Sequence, residues 1–201
     1  MGIYATKSKW QRALAPLVAF CVQKRIQPDV FTYGALGLSC IAALALLAAR
    51  LNPAWLWLVP PCVLVRLLLN LMDGQVARAL ALSDRWGEVK NEFGDRIADA
   101  AIFLGLVFGG YADARSAALT LALILCVSYL GMLGKAVGGA RIYGGVFGKG
   151  DRMISLAVFT LYPALSGNLA SYDWYLMFGT LAATITICQR FRMIYVQQSA
   201  Q

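Results

Sequence analysis

The stretch NLMDGQVARALALSDRWGEVKNEFGDRIADA, residues 70–100, places ten charged side chains inside or beside segments that are otherwise apolar. An ionised side chain at the centre of a bilayer costs roughly 2.5 kcal/mol or more. The remainder of the chain is apolar, because 60% of its 201 residues are hydrophobic and only 14% are charged. Soluble domains are nearer to about one quarter charged, so the sequence predicts an integral membrane protein with a polar site in this stretch.

Apolar segments long enough to cross a bilayer, which takes about 20 residues, occur six times along the chain. They lie at approximately 30–50, 54–78, 96–113, 116–138, 152–167 and 172–190. We therefore expect an all-α integral membrane protein with six transmembrane helices.

The N-terminal segment has a different character from these spans. The apolar run of residues 8–25 is interrupted at Pro16 and ends in basic residues rather than at a cleavage site for a signal peptide. We interpret this segment as an amphipathic helix lying on the membrane surface. A single domain over 1–201 is predicted, with the interfacial helix in 1–27 and the six-helix membrane core in 28–192.

Basic residues are distributed unequally over this topology. With the N-terminus inside, fifteen lysines and arginines fall on the inner side, while only Arg50 and Arg115 fall outside. Cytoplasmic loops carry such an excess. We therefore expect a bacterial inner membrane protein with both termini and the polar site on the cytoplasmic side. The net charge of +8 is explained by membrane orientation, and no nucleic-acid partner is predicted.

Polar residues recur at helical spacing in two segments. The first segment, in the second predicted span, contains Arg66, Asn70, Asp73 and Ala77. The second segment, after a polar turn, contains Asn91, Asp95 and Asp99. Side chains at offsets of three and four lie on one face of a helix, and helices joined by a short turn are antiparallel neighbours. The two polar faces are therefore expected to meet across a cleft that opens to the cytoplasm.

Carboxylates that face each other repel unless cations neutralise them. The chain has no histidine, and its five cysteines stand singly in apolar runs, so this cluster offers only oxygen ligands. Such ligands favour Mg²⁺, Mn²⁺ or Ca²⁺. A hard-metal site that handles a phosphate ester is one interpretation; the alternative is that the carboxylates pair with Arg66, Arg78 and Arg96 or extend into water.

Two glycine pairs, Gly105/Gly109 and Gly134/Gly138, have the spacing that allows membrane helices to approach closely. We expect close helix packing at both pairs.

The polar cluster resembles the signature of the CDP-alcohol phosphotransferase family, D-x-x-D-G-x-x-A-R, eight residues, G-x-x-x-D-x-x-x-D. This chain reads Asn70-x-x-Asp73-Gly74-x-x-Ala77-Arg78, then eight residues, then Gly87-x-x-x-Asn91-x-x-x-Asp95. The six-span layout and the basic N-terminal helix are also similar to this family. The chain departs from the pattern where Asn replaces the first and third Asp, and it adds Asp99 one turn beyond the fourth.

The resemblance implies a phospholipid synthase. In this reaction an acceptor hydroxyl attacks the β-phosphorus of a CDP-linked lipid, such as CDP-diacylglycerol, and CMP is released. The implied cofactors are Mg²⁺ or Mn²⁺ at two sites, and their implied ligands are Asn70, Asp73, Asn91 and Asp95. The implied catalytic base is Asp95 or Asp99. The implied contacts to the nucleotide and its phosphates are Gly74, Ala77, Arg78 and Gly87. The resemblance is also compatible with a homodimer.

The two asparagines leave three accounts open. Asn can offer an amide oxygen to a metal but brings no negative charge. Nearby carboxylates, namely Asp99, Glu88 or Glu92, could compensate; one metal could bind firmly and the other weakly; or catalysis could be lost. We favour compensation, because the spacing is retained and an additional carboxylate lies on the same helical face.

A glycine-rich basic segment, KAVGGARIYGGVFGKGDR at 135–152, lies between the fourth and fifth predicted spans. Its basic residues could bind the phosphate of an acceptor such as glycerol phosphate or inositol phosphate. The predicted acceptor-binding residues are Lys135, Arg141, Lys149 and Arg152. The alternative is ordinary positive-inside topology with attraction to anionic lipid.

Two other functions compete with the synthase. Carboxylates inside a membrane also mark ion pathways, so a cation or metabolite transporter is one alternative. A catalytically silent member of the family is the other. The charges cluster at one membrane face and no repeated half is evident, which favours the synthase over the transporter.

Overall fold

The computed structural model describes residues 11–199, and every regular element in that range is helical. A short helix, α1 (Ala15–Gln23), is followed by six long ones. These are α2 (Pro28–Ala48), α3 (Val59–Ala79), α4 (Arg85–Gly109), α5 (Ala114–Ala136), α6 (Lys149–Ser166) and α7 (Tyr172–Ser199). Two 3₁₀ turns, Pro53–Leu58 and Leu169–Ser171, precede α3 and α7. The all-α part of the prediction is confirmed.

Three of these helices are long and apolar enough to cross a membrane by length and composition, namely α2, α3 with the 3₁₀ turn before it (Pro53–Ala79), and α5. The other three carry more charge. Helix α4 contains the second polar face, α6 begins with the charged Lys149, Asp151 and Arg152, and α7 carries Arg190. Each of these three helices has one charged part and one apolar part. The charged residues lower its mean hydropathy, so composition separates it from the first group.

Helix α4 begins at Arg85, earlier than the apolar span predicted at 96–113. It starts at Arg85 because the side chain of Asp84 accepts a hydrogen bond from the Gly87 N–H at 2.5 Å, which caps the helix. Charges along its first half do not interrupt it, since they lie on a helical face. The complete second polar face, from Asn91 to Asp99, therefore belongs to one helix.

The bundle is assembled around α2, which packs against both α3 and α4, while α3 contacts α6 and α5 contacts α7. An apolar core fills one half of it, with fully buried side chains that include Leu46, Val63, Phe103, Ile124 and Tyr172. At that end Asp113 caps α5 by accepting from the Ser116 N–H at 2.8 Å, and this hydrogen bond lowers the pKa of Asp113. The polar residues gather at the opposite end.

Helix α1 packs beside that polar end. Its Val18 and Cys21 are buried in a small apolar cluster with Phe31 of α2 and with Met72 and Val76 of α3. The prediction of an interfacial helix over 8–25 also includes residues 8–10, which lie outside the described residues.

Only one of the four paired glycines lies against another helix. A Cβ atom on Gly105 would come within 2.6 Å of the carbonyl oxygen of Ala43 in α2. A Cβ on Gly109 would meet the ring of Tyr111, and one on Gly134 would meet Ile142, both in connecting segments. Gly138 has φ +88° with open space around it, so it serves a turn. The predicted close helix packing therefore holds at Gly105, and at the others the glycine accommodates a loop or a turn.

The α2–α4 approach gives a stability prediction. Gly105→Ala should lower the melting temperature of the detergent-purified protein, because the new methyl group meets backbone that cannot rotate away. Gly37→Ala on α2 is the matched control, since a Cβ there has no neighbour within 4 Å and alanine favours a helix by about 1 kcal/mol. Thermal unfolding followed by size-exclusion chromatography measures both; equal shifts would contradict the packing described.

Candidate active site at the polar end of the bundle

A cavity of about 550 Å³ lies where α2, α4 and α6 begin and α3, α5 and α7 end. This volume is in the range of small-molecule sites, roughly 300–1,000 Å³. Most of the predicted site residues line it, namely Asn70, Asp73, Gly74, Ala77, Arg78, Gly87, Asn91, Asp95, Arg141, Lys149 and Arg152. Two of the predicted residues, Asp99 and Lys135, lie outside this lining. The two polar faces of the sequence thus form one site with the basic segment.

The turn between α3 and α4 shapes one wall of the cavity. The backbone N–H of Gly74 donates to the carboxylate of Asp73. A Cβ on Gly74 would come within 3.3 Å of the Arg78 guanidinium, and one on Gly87 within 2.7 Å of the Asp84 carboxylate. The two glycines of the signature spacing therefore give room to a neighbouring charged side chain.

Asp95 lies at the meeting point of three cations. Its Oδ1 accepts a hydrogen bond from the Lys149 ammonium of α6. Arg66 lies 4.0 Å from Oδ1 and Arg96 lies 3.8 Å from Oδ2. The Asp95 and Lys149 side chains are only 7% and 14% exposed, so water screens their pairing weakly. Asp95 therefore lies in the cavity lining with cationic side chains on both of its oxygens.

Asp99 occupies a different environment from Asp95. Its two oxygens accept hydrogen bonds from Arg66 of α3 at 2.9 Å and from Arg152 of α6 at 2.7 Å. Asp99 and Arg66 are fully buried, and Arg152 is 1% exposed. Asp99 therefore ties three helices together with both oxygens engaged, one turn deeper than Asp95.

Potential metal ligands sit on the facing sides of α3 and α4. The side-chain oxygen of Asn91 is buried and has no hydrogen-bond partner among the described residues. The amide nitrogen of Asn70 donates to the carbonyl of Arg66 at 3.0 Å, so its oxygen is the atom left for a cation. Among residues 11–199, no three His, Cys, Asp or Glu side chains come together as a metal cluster. A cation here would depend on Asp73 together with amide oxygens.

The basic segment divides between the cavity and the surface. Arg141 lines the cavity, forms an ion pair with Glu92 and stacks over the ring of Tyr143 at 4.6 Å. Lys135 pairs with Glu88 at 2.5 Å, where the two side chains are 48% and 39% exposed. Both basic residues thus contact a glutamate of α4, but only Arg141 contributes to the cavity wall.

Sequence reasoning missed two further parts of the lining. Arg190 of α7 lines the cavity and donates to the carbonyls of Val127 at 2.5 Å and Gly144 at 2.9 Å. Its position at the end of a predicted span indicated only membrane topology. Asp29 and Lys90, joined at 2.6 Å, also line the cavity, and no spacing in the sequence connects them.

A comparison with known protein families identifies the family of this chain. A profile of the CDP-alcohol phosphatidyltransferase family matches residues 25–188. The chain belongs to this family. The match includes every residue of the signature spacing, so the family resemblance seen in the sequence is confirmed.

Individual members of the family extend the comparison. The present chain is 31% identical to the inner membrane protein YnbA of Escherichia coli K12 over 165 residues, which cover 82% of each chain. It is 25% identical over 209 residues to the phosphatidylinositol phosphate synthase of Cutibacterium acnes, covering 97% of each chain.

Solved structures resemble the fold over about nine-tenths of the chain. The phosphatidylinositol phosphate synthase PgsA1 of Mycobacterium tuberculosis with CDP-DAG bound matches with a TM-score of 0.69 and 25% identity, covering 92% of this chain and 94% of that one. The same enzyme in complex with manganese and citrate matches with a TM-score of 0.66 and 25% identity, covering 90% and 88%. The chain thus shares its fold with a protein whose structure was solved with CDP-DAG bound.

The buried Asp99 pairing generates a prediction. Asp99→Asn leaves two buried guanidinium groups without their negative partner, a type of change that costs about 3–5 kcal/mol. We expect a large drop in melting temperature of the purified protein. Glu88→Gln is the control, because its exposed pair with Lys135 should contribute about 0–1 kcal/mol. Comparable losses in both variants would contradict a structural role for Asp99.

Proposed function

We propose that the chain is a phospholipid synthase that transfers a phosphatidyl group from CDP-diacylglycerol to a hydroxyl of a phosphorylated polyol and releases CMP. The observation that carries this proposal is a single cavity in which the signature residues of α3 and α4 face arginines from the 135–152 segment and α7. The synthase names of relatives and the CDP-DAG bound to PgsA1 support it, because the alignments cover nearly all of this chain.

The six long helices are proposed to cross the membrane, with α1 on its surface. The apolar α2, α3 and α5 pack in the same bundle as the more polar helices, whose charges gather at the cavity end. Exposed apolar side chains such as Phe108, Leu165 and Leu181 cover the remaining length of α4, α6 and α7 and would contact lipid. Exposed Leu17 and Phe20 on α1 suit the interface. We place the cavity and both termini on the cytoplasmic side, following the basic residues.

The donor nucleotide is proposed to lie along the α3–α4 turn. Gly74 and Ala77 present little side-chain bulk at the cavity wall, and Gly87 opens the start of α4. Arg78 lies on the rim of the cavity, where its guanidinium can pair with a phosphate oxygen. The diacylglycerol tails would extend sideways between helices into the bilayer.

A divalent cation, Mg²⁺ or Mn²⁺, would be held by Asn70, Asp73 and Asn91 and would neutralise charge on the donor pyrophosphate. These residues fit a hard cation, since all of their available atoms are oxygens and that of Asn91 is buried without a hydrogen-bond partner in the described chain. The manganese complex of PgsA1 supports metal use.

Asp95 is proposed as the catalytic base, with Asp99 as a positioning residue. Asp95 faces the cavity, while both oxygens of Asp99 are engaged by arginines. The acceptor oxygen forms a new bond to the phosphorus that carries diacylglycerol, the bond from that phosphorus to CMP breaks, and the hydroxyl proton moves to Asp95. The Lys149 ammonium donates a hydrogen bond to Asp95 and so helps to orient this carboxylate.

The acceptor phosphate is proposed to bind Arg141, Arg152 and Arg190, which line the cavity from three different elements. Planar guanidinium groups suit bidentate contacts with phosphate. Asp99 would hold Arg152 in place for this contact. Lys135 is left out of this set, because it does not line the cavity and pairs with Glu88 instead.

Acceptor-dependent release of CMP tests the reaction. Purified protein in lipid nanodiscs should release CMP from CDP-diacylglycerol when glycerol 3-phosphate or inositol phosphate is added with Mn²⁺. Asp73→Asn should reduce this release at least about a hundredfold, because metal sites lose that much when a ligand environment is disturbed, whereas Cys126→Ser on the exposed side of α5 should retain it. Absence of CMP with every phosphorylated and unphosphorylated polyol, in protein that binds CDP-diacylglycerol, would contradict the proposal.

The acceptor site has its own test. Arg141→Gln should raise the KM for the phosphorylated acceptor by about tenfold, equivalent to roughly 1.4 kcal/mol, and leave the KM for CDP-diacylglycerol little changed. Lys135→Gln is a matched control, since both residues pair with a glutamate of α4 but only Arg141 lines the cavity. Equal changes in both Michaelis constants would indicate a role in folding instead.

A further inference from the structure

The four signature positions between α3 and α4 supply fewer negative charges than a pair of divalent cations brings. Two such ions carry four positive charges, whereas only Asp73 and Asp95 among these positions are charged, since Asn70 and Asn91 are neutral. The other carboxylates of the cavity lining have partners of their own: Asp29 pairs with Lys90, Glu88 with Lys135 and Glu92 with Arg141, and Asp84 caps α4. The number of cations that the signature positions can hold therefore depends on how Asp73 and Asp95 are used.

Asp95 is already matched by protein cations. The Lys149 ammonium donates directly to its Oδ1, and Arg66 and Arg96 stand within 4.0 Å and 3.8 Å of its two oxygens. The Lys149 side chain is only 14% exposed. If the ammonium moved away from Asp95, its charge would be largely buried without a partner, which is unfavourable. A dication bound at Asp95 would face this ammonium and two guanidinium groups at short range.

Asp73 shares the cavity lining with two neutral side chains that offer oxygen atoms, Asn70 on the same helix and Asn91 on α4. The Asn91 oxygen is buried and lacks a hydrogen-bond partner among the described residues, although a buried polar atom normally has one. The Asn70 nitrogen is committed to the Arg66 carbonyl, which leaves the Asn70 oxygen for a ligand. One carboxylate and two amide oxygens form a partial shell that a hard cation completes with phosphate oxygens or water.

We infer that this site holds a single divalent cation, on Asp73, Asn70 and Asn91, and that the ammonium of Lys149 supplies the positive charge at Asp95 where a second ion would otherwise bind. The inference deepens the proposed function, on which it rests for the identity of the site. It assigns Lys149 to Asp95 on α4 and explains why the two asparagines occur together with this lysine.

Metal stoichiometry tests the inference without relying on turnover. Full-length protein in nanodiscs is titrated with Mn²⁺, in the absence and presence of CDP-diacylglycerol, and bound metal is measured by equilibrium dialysis and electron paramagnetic resonance. We expect one Mn²⁺ per chain and the spectrum of an isolated ion. Two ions per chain with an exchange-coupled spectrum, or no bound Mn²⁺ under either condition, would overturn it.

Variants that restore negative charge at the two asparagine positions provide a second test of the inference. The triple change Asn70→Asp, Asn91→Asp and Lys149→Gln should raise the stoichiometry to two and produce the coupled spectrum. The double change Asn70→Asp and Asn91→Asp, which keeps the buried ion pair, guards against a folding failure and should bind the second ion at least tenfold more weakly than the triple variant. A triple variant that folds and still binds one ion, or equal second-ion affinity in both variants, would overturn the inference. Asn70→Asp and Asn91→Asp combined with Lys135→Gln is the control for lysine removal, because Lys135 does not line the cavity, and this variant should bind the second ion as weakly as the double variant does.

The outcome is separable from the fate of the proposed function. Active protein that binds two Mn²⁺ would overturn the single-cation inference and leave the synthase proposal intact. Protein that binds one Mn²⁺ but releases no CMP would support the inference about the site and overturn the assigned reaction.

Discussion

The polar end of this bundle depends on one buried carboxylate, Asp99, that holds two buried arginines. Arg66 and Arg152 approach it from α3 and α6 at 2.9 Å and 2.7 Å, while Asp99 itself belongs to α4. Three unit charges without solvent are tolerated only when each is matched by another in good geometry. The pairing therefore restricts the distance and rotation among the three helices that carry the signature residues and Arg152.

The two ends of the bundle are stabilised by different interactions. The apolar core around Leu46, Phe103 and Ile124 stabilises the helices at the far end, whereas charge pairing orders the end with the cavity. Lipid can surround the apolar flanks of the helices, and the site remains accessible to water-soluble acceptors. A soluble phosphorylated polyol and a membrane-bound donor can thus meet at one end of the same bundle.

Much of this arrangement could be predicted from sequence, because it depends on local spacing. Helix periodicity and the spacing from Asn70 to Asp95 correctly indicated two facing helices, and all eight residues of that spacing line the cavity. Asp99 was placed on the same face as Asn91 and Asp95, yet each step of four residues rotates by about 40° and rises about 6 Å. Two such steps turn Asp99 away from the cavity and toward the arginines. The contribution of Arg190 depends on how α7 docks beside α5, which no local pattern encodes.

Lys149 and Arg152 lie almost one turn apart on α6, and the carboxylates they contact, Asp95 and Asp99, lie one turn apart on α4. The two ion pairs thus connect the same two helices, one helical turn apart. A sliding or tilting of α6 displaces both ion pairs together, so the surroundings of Asp95 and the position of Arg152 are mechanically linked. Under the proposed reaction, a family member that accommodated a larger acceptor by shifting α6 would at the same time move the lysine that contacts the proposed base.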